Sequence, residues 1–488
     1  MKRILLLALA VSLCLAQAPV LNPTEQTIVR SISADTLKGH VSFLASDALE
    51  GRDTPSKGLE VAAEYIASQF RRYGIEPAGN EGYFQTASFG RVTPTTEGFE
   101  CTMTWNGEAI SLPKEAVTLD ALNEAEIDKA PVRKVQIGED TPAFRAEDLE
   151  GKVIVAEDRH KPFQKVMRDR RALASARPAL IIYTNGVGGG SRLRDLSEKT
   201  PPQVTIKDDA LRKKFAELPD GTIEATVTAK IPKPAIQAAK LENVVGVLRG
   251  TDPVLKDTYV LVTAHYDHIG ITNAGDDHIN NGANDDASGT ATVLQLAEDF
   301  SRLRVKPKRS IVFIMFFGEE KGMLGSRYYA QHPVFPLAKT IADLNLEHMG
   351  RTDDNEGPQL HRLAVTGMDY STVGDFLKAA GEKTGVEVWR HAKSSDMYFS
   401  ASDNLSLADA GVPSHTLSVA YMFPDYHRPG DHWDKIDYKN MEQVAGTAAV
   451  AAWSLANSPK APAWIETNEK TQRYVLAWKT LHPRVNGN

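Results

Sequence analysis

From about residue 241 onward, the chain alternates apolar runs with amphipathic stretches, and this alternation constrains the fold more than any other feature. Residues 259–263 and 310–317 are apolar enough for strands that are buried on both faces. Between them, residues 290–300 have apolar side chains at helical spacing, and a third apolar run covers residues 341–346. Strands that alternate with helices favour an α/β sheet with helices on both sides.

The composition is typical of a soluble globular protein. The chain has 488 residues, of which 42% are hydrophobic and 24% are charged, so it can form two or more domains with a large core. Its formal net charge of −7 gives no support to binding of nucleic acid or of anionic membranes. We therefore expect no nucleic-acid partner, and the oligomeric state stays open.

The first 18 residues combine a basic start, a short apolar stretch and small residues near the end. This pattern is typical of a secretory signal peptide, and the apolar stretch is too short for a comfortable membrane span. We predict cleavage after Ala16 or Ala18 and a secreted or periplasmic protein, with no stable membrane insertion after cleavage. Cys101 then remains without a disulfide partner and is predicted to be a small buried residue.

Residues 99–238 differ in pattern from the rest, because short β-like runs alternate there with charged and proline-containing turns. No cluster of His, Cys or carboxylate residues has ligand spacing in this region. We interpret it as an inserted, β-rich α+β domain. Before it, two helices are predicted, one capped by Ser33 and one ending at Gly74.

Histidines and carboxylates follow the predicted strands directly or lie in the loops that lead to the next element. Functional groups of α/β sheets gather in loops beyond the carboxyl ends of the strands, so we expect these side chains to lie close together. The residues that share this placement are His265, Asp267, Asp285, Glu319, Glu320, Glu347 and His427.

Imidazole and carboxylate groups are the ligands that zinc accepts at hydrolytic sites. Three carboxylates and two histidines would suit two divalent ions about 3.5–4 Å apart, with one carboxylate bridging both. One residue of the Glu319–Glu320 pair can then bind metal while the other stays free as a general base. The alternative is a pair of solvated glutamates at the start of a helix, which would be favoured for an isolated pair without matching strand ends.

The remaining polar residues receive supporting roles. Asp267 is expected to orient His265 through its other ring nitrogen, and Asp286 to cap the following helix while Asp285 faces the metals. Asp431, Asp434 and Asp437 are interpreted as loop and surface carboxylates. Four further histidines are interpreted as surface or supporting residues rather than ligands: His268, His278, His348 and His432.

Five motifs, in this order, resemble those of the zinc exopeptidases of clan MH, peptidase family 28, which includes bacterial leucyl-type aminopeptidases. They are His265-x-Asp267, Asn284-Asp285-Asp286-Ala-Ser-Gly289, Gly318-Glu319-Glu320, Asn345-Leu-Glu347 and Tyr426-His427. Residues 44–52 and 76–84 resemble the N-terminal part of these enzymes, and the inserted region resembles a lid-like protease-associated domain. With the signal peptide predicted at 1–18 from its own pattern, the resemblance implies catalytic-domain parts at 25–98 and 239–460, the insertion at 99–238 and a C-terminal tail at 461–488.

The resemblance implies the zinc exopeptidase fold, a mixed, mostly parallel sheet sandwiched between helices. It also implies two zinc ions and removal of the N-terminal residue from peptide substrates. His265 and Glu347 would each bind one side of the metal pair, and Asp285 would bridge the ions. The remaining roles would fall to Glu320 and His427 as ligands and to Glu319 as the base that deprotonates the attacking water.

Two positions depart from the family pattern. The family usually has Asp where this chain has Glu347, and an apolar residue in place of His348. Many relatives have Ser-Asp-His where this chain has Ser402-Asp403-Asn404. Carboxypeptidases and dipeptidases of the same family stay open, as do a glutaminyl cyclase with one zinc ion, an inactive binding module and an unrelated α/β protein. The intact Asp285 motif and the complete set of ligand side chains favour the hydrolase.

Overall fold

The computed structural model describes residues 20–139, 144–158, 163–186, 188–273 and 275–483. The predicted signal peptide, residues 1–18, lies outside the described residues. The chain forms two compact units, one made of the residues up to Ala87 and from Leu241 onward, and the other of Ser88–Lys240. None of the helices among the described residues is long and apolar enough to cross a lipid bilayer.

The helices and strands of the described residues are as follows. The α-helices are α1 Pro23–Ser31, α2 Ala34–Leu44, α3 Lys57–Tyr73, α4 Phe163–Ser175, α5 Asp209–Ala216, α6 Ser288–Arg302, α7 Leu324–Gln331, α8 Val373–Thr384, α9 Ser394–Met397, α10 Asn404–Asp409, α11 Tyr438–Asn457 and α12 Gln472–Leu481. The strands are β1 Glu76–Pro77, β2 Phe84–Thr93, β3 Glu100–Trp105, β4 Glu108–Ser111, β5 Val117–Asp120, β6 Ala125–Ile137, β7 Val153–Asp158, β8 Leu180–Tyr183, β9 Arg192–Asp195, β10 Gln203–Ile206, β11 Gly221–Ile231, β12 Ala235–Leu248, β13 Tyr259–His265, β14 Ser310–Phe316, β15 Thr340–Leu346, β16 Asp353–Asp354, β17 Gly357–Pro358, β18 Arg362–Val365, β19 Glu387–Trp389 and β20 Ser414–Ser418.

The strands of the first unit follow one another in the order β19-β18-β20-β15-β13-β14-β12, with β1 beside β12. Four adjacent strands, β20, β15, β13 and β14, are parallel, whereas β12 and β18 run antiparallel to their neighbours in this group. The register pairs His265 with Phe316 and Thr263 with Asn345. The carboxyl ends of β13, β14 and β15 therefore meet at one edge of the sheet. The predicted α/β fold with a mixed sheet is confirmed.

Helices cover both faces of this sheet. Alternate residues of a strand point to opposite faces. In β14, Phe313 and Phe316 therefore contact helices on opposite faces of the sheet. Phe313 packs against Phe70 of α3 and Phe300 of α6. Phe316 packs against Tyr329 of α7 and shares a buried cluster with Leu407 of α10. Two separate layers of helices thus enclose the strands that lead to the polar residues.

Two predicted helix ends are confirmed in the N-terminal part of this unit. Helix α2 begins after Ser33, whose hydroxyl accepts a hydrogen bond from the backbone N–H of Thr36. Helix α3 ends at Gly74, which has a φ of 72° and so adopts the left-handed conformation that glycine allows without strain.

The second unit contains an eight-stranded sheet with the order β4-β3-β11-β6-β7-β8-β10-β5. Strands β6, β7, β8 and β10 are parallel to one another, and the outer strands pair antiparallel. Strand β2 pairs with β9 within this unit. Cys101 is buried in its core, as predicted.

A buried carboxyl group in β15 makes the stability of the first unit depend on pH. Asp343 is fully buried and accepts hydrogen bonds from the hydroxyls of Thr263 (2.9 Å) and Ser414 (2.6 Å). Burial raises the pKa of Asp343 to about 7. Between its ordinary pKa of 3.8 and about 7, the unfolded chain releases the proton while the folded chain keeps it.

We therefore expect the wild type to lose stability relative to Asp343→Asn as pH rises from about 4 to about 7, by up to about 1.4 kcal/mol per pH unit. Above about pH 7, the difference in stability between the two proteins no longer changes with pH, because the carboxyl group of Asp343 is then ionised in both the folded and the unfolded state. Urea unfolding of both proteins at several pH values measures it. Asp257→Asn, which changes an exposed carboxylate, serves as the control and is expected to follow the wild-type profile. Parallel profiles for the wild type and Asp343→Asn would contradict this account.

Candidate metal centre

The first group of possible ligands lies at the ends of β13 and β15. His265 is the last residue of β13, and its carbonyl accepts a hydrogen bond from the Thr290 hydroxyl (2.7 Å). Its Nε2 lies 3.3 Å from Oδ1 of Asp285 and 3.7 Å from Oε1 of Glu347. These three side chains can offer one atom each to a single metal ion.

The second group lies on the other side of Asp285. Nε2 of His427 is 3.1 Å from Oδ2 of Asp285 and 3.2 Å from Oε2 of Glu320. Glu320 follows β14, and its side chain is only 6% exposed. Nδ1 of His268 also approaches this group, at 2.9 Å from Oε1 of Glu320.

Asp285 joins the two groups, because its Oδ1 faces His265 and its Oδ2 faces His427. Two ligand atoms at tetrahedral positions, each about 2.0–2.1 Å from a zinc ion, lie about 3.3 Å apart. The separations within both groups are close to this value. The structure thus brings together all five residues that the sequence predicts as metal ligands.

The donor atoms at the site fit a divalent metal. Nε2 of His265, Nε2 of His348 and Oε1 of Glu320 are buried and have no hydrogen-bond partner among the described residues. Buried polar atoms are normally paired, so unpaired nitrogen and oxygen atoms at one site fit a site that takes a ligand. Imidazole nitrogens and carboxylate oxygens together are a donor set that zinc accepts.

The electrostatics of the cluster also favour a cation. Burial alone would lower the pKa of His265, but the carboxylates around it raise that pKa well above its ordinary value. Burial and the charge of Asp285 would raise the pKa of Glu320, but two contacting imidazoles lower it to about 2. The cluster is therefore rich in carboxylates that need positive charge nearby.

Glu319 lies outside both groups of ligands. Its backbone N–H donates to Oδ1 of Asp267 at 3.1 Å. Burial raises the pKa of Glu319 well above its usual range, and the negative charges of Glu347 and Asp403 raise it further. A carboxyl group that is next to a metal cluster but does not join it is suited to proton transfer.

Asp267 supports the site from behind. Its carboxylate accepts hydrogen bonds from the Thr54 hydroxyl (3.0 Å) and from the Glu319 backbone. Nδ1 of His265 lies 3.2 Å from the backbone carbonyl of Asp267 and 3.5 Å from its Oδ1. Asp267 therefore connects the first ligand to the residue that is suited to proton transfer.

Asp286 and Asn404 lie near the cluster without joining either ligand group. Oδ1 of Asp286 accepts from the backbone N–H of Gly289, in the first turn of α6, at 3.0 Å. Asn404 is buried; it donates to the carbonyl of Phe399 and accepts from the hydroxyl of Thr416. The departure from Ser-Asp-His thus places an amide in a buried hydrogen-bond network.

One prediction for the supporting residues is wrong, because Asp431 is fully buried and is not a surface carboxylate. His268 is also fully buried and His348 is 6% exposed, so of the two roles predicted for these histidines, surface or supporting, only the supporting one fits. Nδ1 of His348 faces the carbonyl of Ala420 and its Nε2 lies 3.5 Å from Oδ1 of Asp285. Each of the three residues is held in place by backbone contacts with another loop, as the hydrogen bond from the His268 N–H to the carbonyl of Arg52 shows. His278 is exposed, as predicted.

Two residues that the sequence did not single out as functional hold the loop that carries Asp285. The buried guanidinium of Arg52 donates to the carbonyls of Asn281 (2.8 Å) and Gly282 (3.0 Å). The carboxylate of Asp431 accepts from the backbone N–H groups of Asn284 and Asp285 at 2.9–3.1 Å. The only signals in the sequence are the position of Asp431 four residues after His427 and the Gly-Arg pair that ends residues 44–52.

We expect Asp431→Ala to destabilise the protein and weaken metal binding together. The substitution leaves two buried N–H groups without acceptors, which costs about 1–3 kcal/mol each. The free energy of unfolding should fall by about 2–6 kcal/mol, and metal affinity by about 10–100-fold because the backbone of Asp285 loses its support. Urea unfolding and metal titration measure the two effects. Asp434→Ala removes an exposed carboxylate from the same loop and should change neither; equal behaviour of the two variants would refute the role of Asp431.

Residues 243–452 match the model of peptidase family M28. The chain is similar to the aminopeptidase YwaD of Bacillus subtilis strain 168, with 25% identity over 309 residues that cover 62% of each chain. It is also similar to a probable zinc metalloprotease of Pyricularia oryzae, with 28% identity over 340 residues that cover 59% of this chain and 66% of that protein. These matches span less than two thirds of the length of either relative.

Among solved structures, the chain is similar to an aminopeptidase from Aneurinibacillus sp. strain AM-1. The TM-score is 0.49 and the identity is 21%, over 90% of this chain and 97% of that one. The family match contains all the predicted ligands together with Asp267 and Glu319. The part of the chain that carries the candidate metal centre, residues 243–452, therefore belongs to peptidase family M28.

Proposed function

We propose that the protein is a zinc-dependent aminopeptidase that removes the N-terminal residue from peptides. The observation that carries the proposal is a cavity of about 100 Å³ beside the metal cluster, lined by Glu347 and His348 together with tyrosines and small side chains. None of its lining residues, all of them described, is Lys or Arg. Carboxylates near the cavity suit the ammonium group of a peptide's N-terminus, whereas a C-terminal carboxylate is typically bound by Arg or Lys, which this lining lacks.

The relatives support the activity and the metal. One is an aminopeptidase and the other a probable zinc metalloprotease, and the family match covers the residues of the cluster. The two ligand groups that share Asp285 support a pair of zinc ions.

Each zinc ion would be held by residues already described. His265, Asp285 and Glu347 would hold one ion, and Asp285 with Glu320 and His427 would hold the other. When bound, the pair supplies Lewis acidity to a peptide carbonyl and lowers the pKa of water.

Glu319 carries the proton in this reaction. Its backbone is held by Asp267, while its carboxyl group stays out of the ligand groups. It takes a proton from the attacking water as the water oxygen bonds to the carbonyl carbon. It then gives this proton to the leaving nitrogen as the carbon–nitrogen bond breaks.

The cavity is suited to an apolar side chain at the N-terminus of the substrate. The hydroxyls at its base already have internal partners, since Ser402 and Thr416 accept from Asn345 and Thr416 donates to Asn404. A cavity of about 150 Å³ accommodates benzene, so the smaller volume here favours aliphatic side chains over aromatic ones.

We further propose that the second unit is an inserted protease-associated domain and that the first 18 residues direct export. The separate compact unit and its eight-stranded sheet support the first point. The basic start and apolar stretch of the sequence support the second.

The test of the function uses zinc-loaded protein and one peptide in free, N-acetylated and C-amidated forms, with products identified by mass spectrometry. We expect loss of the first residue from the free and amidated forms only, abolished by a chelator. Glu319→Gln should lower kcat by about 10²–10⁴-fold with zinc content unchanged, whereas Glu320→Gln should lose zinc. Loss of the last residue, blocked by amidation, would instead indicate a carboxypeptidase and overturn the proposal.

Enlarging the cavity should change substrate preference. Met422 lines the cavity, and Met422→Ala is expected to raise the ratio of kcat/KM for an N-terminal Phe over Leu by at least about tenfold, because a few buried methylene groups are worth 1–3 kcal/mol. Met397→Ala is the matched control, since Met397 is 58% exposed and does not line the cavity. An unchanged ratio in Met422→Ala would show that the cavity does not receive the terminal side chain.

A further inference from the structure

We propose that His268 is a fourth protein ligand of the second metal position, beside Asp285, Glu320 and His427. This inference rests on the proposed metallopeptidase function, because it concerns the same metal pair. It assigns a metal-binding role to a histidine outside the five ligands that the family resemblance implies.

The position of the ring is the first argument. His268 is fully buried, and its Nδ1 lies 2.9 Å from Oε1 of Glu320 and 3.8 Å from Oδ2 of Asp285. These are the same two carboxylates that Nε2 of His427 contacts. The two rings meet edge to face with their centroids 5.7 Å apart. His268, Asp285 and Glu320 can offer one atom each to a common ion.

The orientation of the ring is the second argument. A contact of 2.9 Å would be a good hydrogen bond if the N–H pointed along it. However, Nδ1 of His268 and Oε1 of Glu320 approach as an ion pair without the alignment of a well-formed hydrogen bond, and neither atom forms one with another described residue. Nε2 of His265, in the first ligand group, shows the same combination of close carboxylates and no hydrogen bond. Ligands of a common ion approach one another in this way.

The surrounding backbone holds the ring in this place. The N–H of His268 donates to the carbonyl of Arg52 at 3.2 Å. Gly282 lies against the ring, and a Cβ at that position would be 2.6 Å from Cγ of His268. Gly282 also has a φ of +60°, so a side chain there would be strained as well as obstructed. The imidazole of His268 therefore fits in this place only because residue 282, in the neighbouring loop, is glycine.

A fourth ligand makes the two metal positions unequal. The second position would have two carboxylates and two imidazoles. The first would have His265, Asp285 and Glu347, because Nε2 of His348, although 3.5 Å from Asp285, does not join that group. Sites with four protein ligands are closed, and sites with three keep a position open for water or substrate. The ion near His268 should therefore bind first and more tightly, and the ion near Glu347 should exchange more readily.

The test compares metal binding by the wild type, His268→Ala and His268→Asn, with His278→Ala as a control from the exposed part of the same loop. Zinc content after dialysis and competition with a chromophoric chelator give stoichiometry and affinity. We expect His268→Ala to lose at least about 100-fold in affinity for the tighter ion, since even outer partners of ligands are worth 10–100-fold. His268→Asn keeps an N–H donor near Glu320 but no imidazole, and should not restore binding.

A measurement on the wild type alone removes any dependence on the folding of the variants. X-ray absorption of protein loaded with one equivalent of zinc should show two imidazoles on the metal. One imidazole, or wild-type affinity in either His268 variant, would overturn the role of His268 while leaving the zinc peptidase intact. A wild type that binds no zinc would overturn the proposed function itself, and this inference with it.

Discussion

The central constraint on this structure is electrostatic: several carboxylates are buried together at one edge of a parallel sheet, and their mutual repulsion must be compensated. Parallel strands end at the same edge, so the residues after β13, β14 and β15 are forced together. Burying like charges side by side is unfavourable unless positive charge or hydrogen-bond donors compensate them. Here the histidines supply part of the compensation and Arg52 supplies a buried cation.

Arg52 links the folding of the loops to the negative charge of the carboxylates at the site. Burial lowers the pKa of Arg52 to about 10, and the carboxylates of the site, Asp267 first among them, oppose a larger decrease. The guanidinium donates to backbone carbonyls of three segments of the chain, at Leu44, at Tyr266 and at Asn281 with Gly282. One side chain therefore balances the charge of the site and also joins the loops that build it.

The N-terminal residues complete the site from a distance in sequence. The backbone N–H of Gly270 donates to the carbonyl of Gly51, and the hydroxyl of Thr54 donates to Asp267. The metal centre is thus supported by a segment more than 200 residues earlier, as the separation of 213 between Thr54 and Asp267 shows. Metal binding should stabilise both parts of the first unit together, because ligands that are assembled by folding link the two free energies.

Strand ends and the geometry of parallel strands predicted that the histidines and carboxylates would lie close together, and they do. The role of each residue as a ligand came from the family resemblance and stays a prediction. The sequence did not predict β20, Ser414–Ser418, as a central strand. Its side chains are mostly polar, yet all are buried, and hydrogen bonds such as that from Ser414 to Asp343 satisfy them. Hydrophobic periodicity does not reveal a strand of this kind. The burial of His268 was missed for a related reason, since it depends on the closeness of Gly282 rather than on any local pattern.

The hydrogen bonds behind the cavity connect substrate selection to metal binding. Asn345 precedes Glu347 by two residues in the chain and holds the hydroxyls of Ser402 and Thr416 at the base of the cavity. The same amide accepts from Thr263, two residues before His265. A change at Ser402 or Thr416 is therefore expected to shift Asn345 and Thr263, which lie two residues before Glu347 and His265. Groups that share one hydrogen-bond network are coupled energetically, so substitutions here should have non-additive effects on selectivity and on metal affinity. The lining of the cavity and the positions of His265 and Glu347 are therefore linked through Asn345.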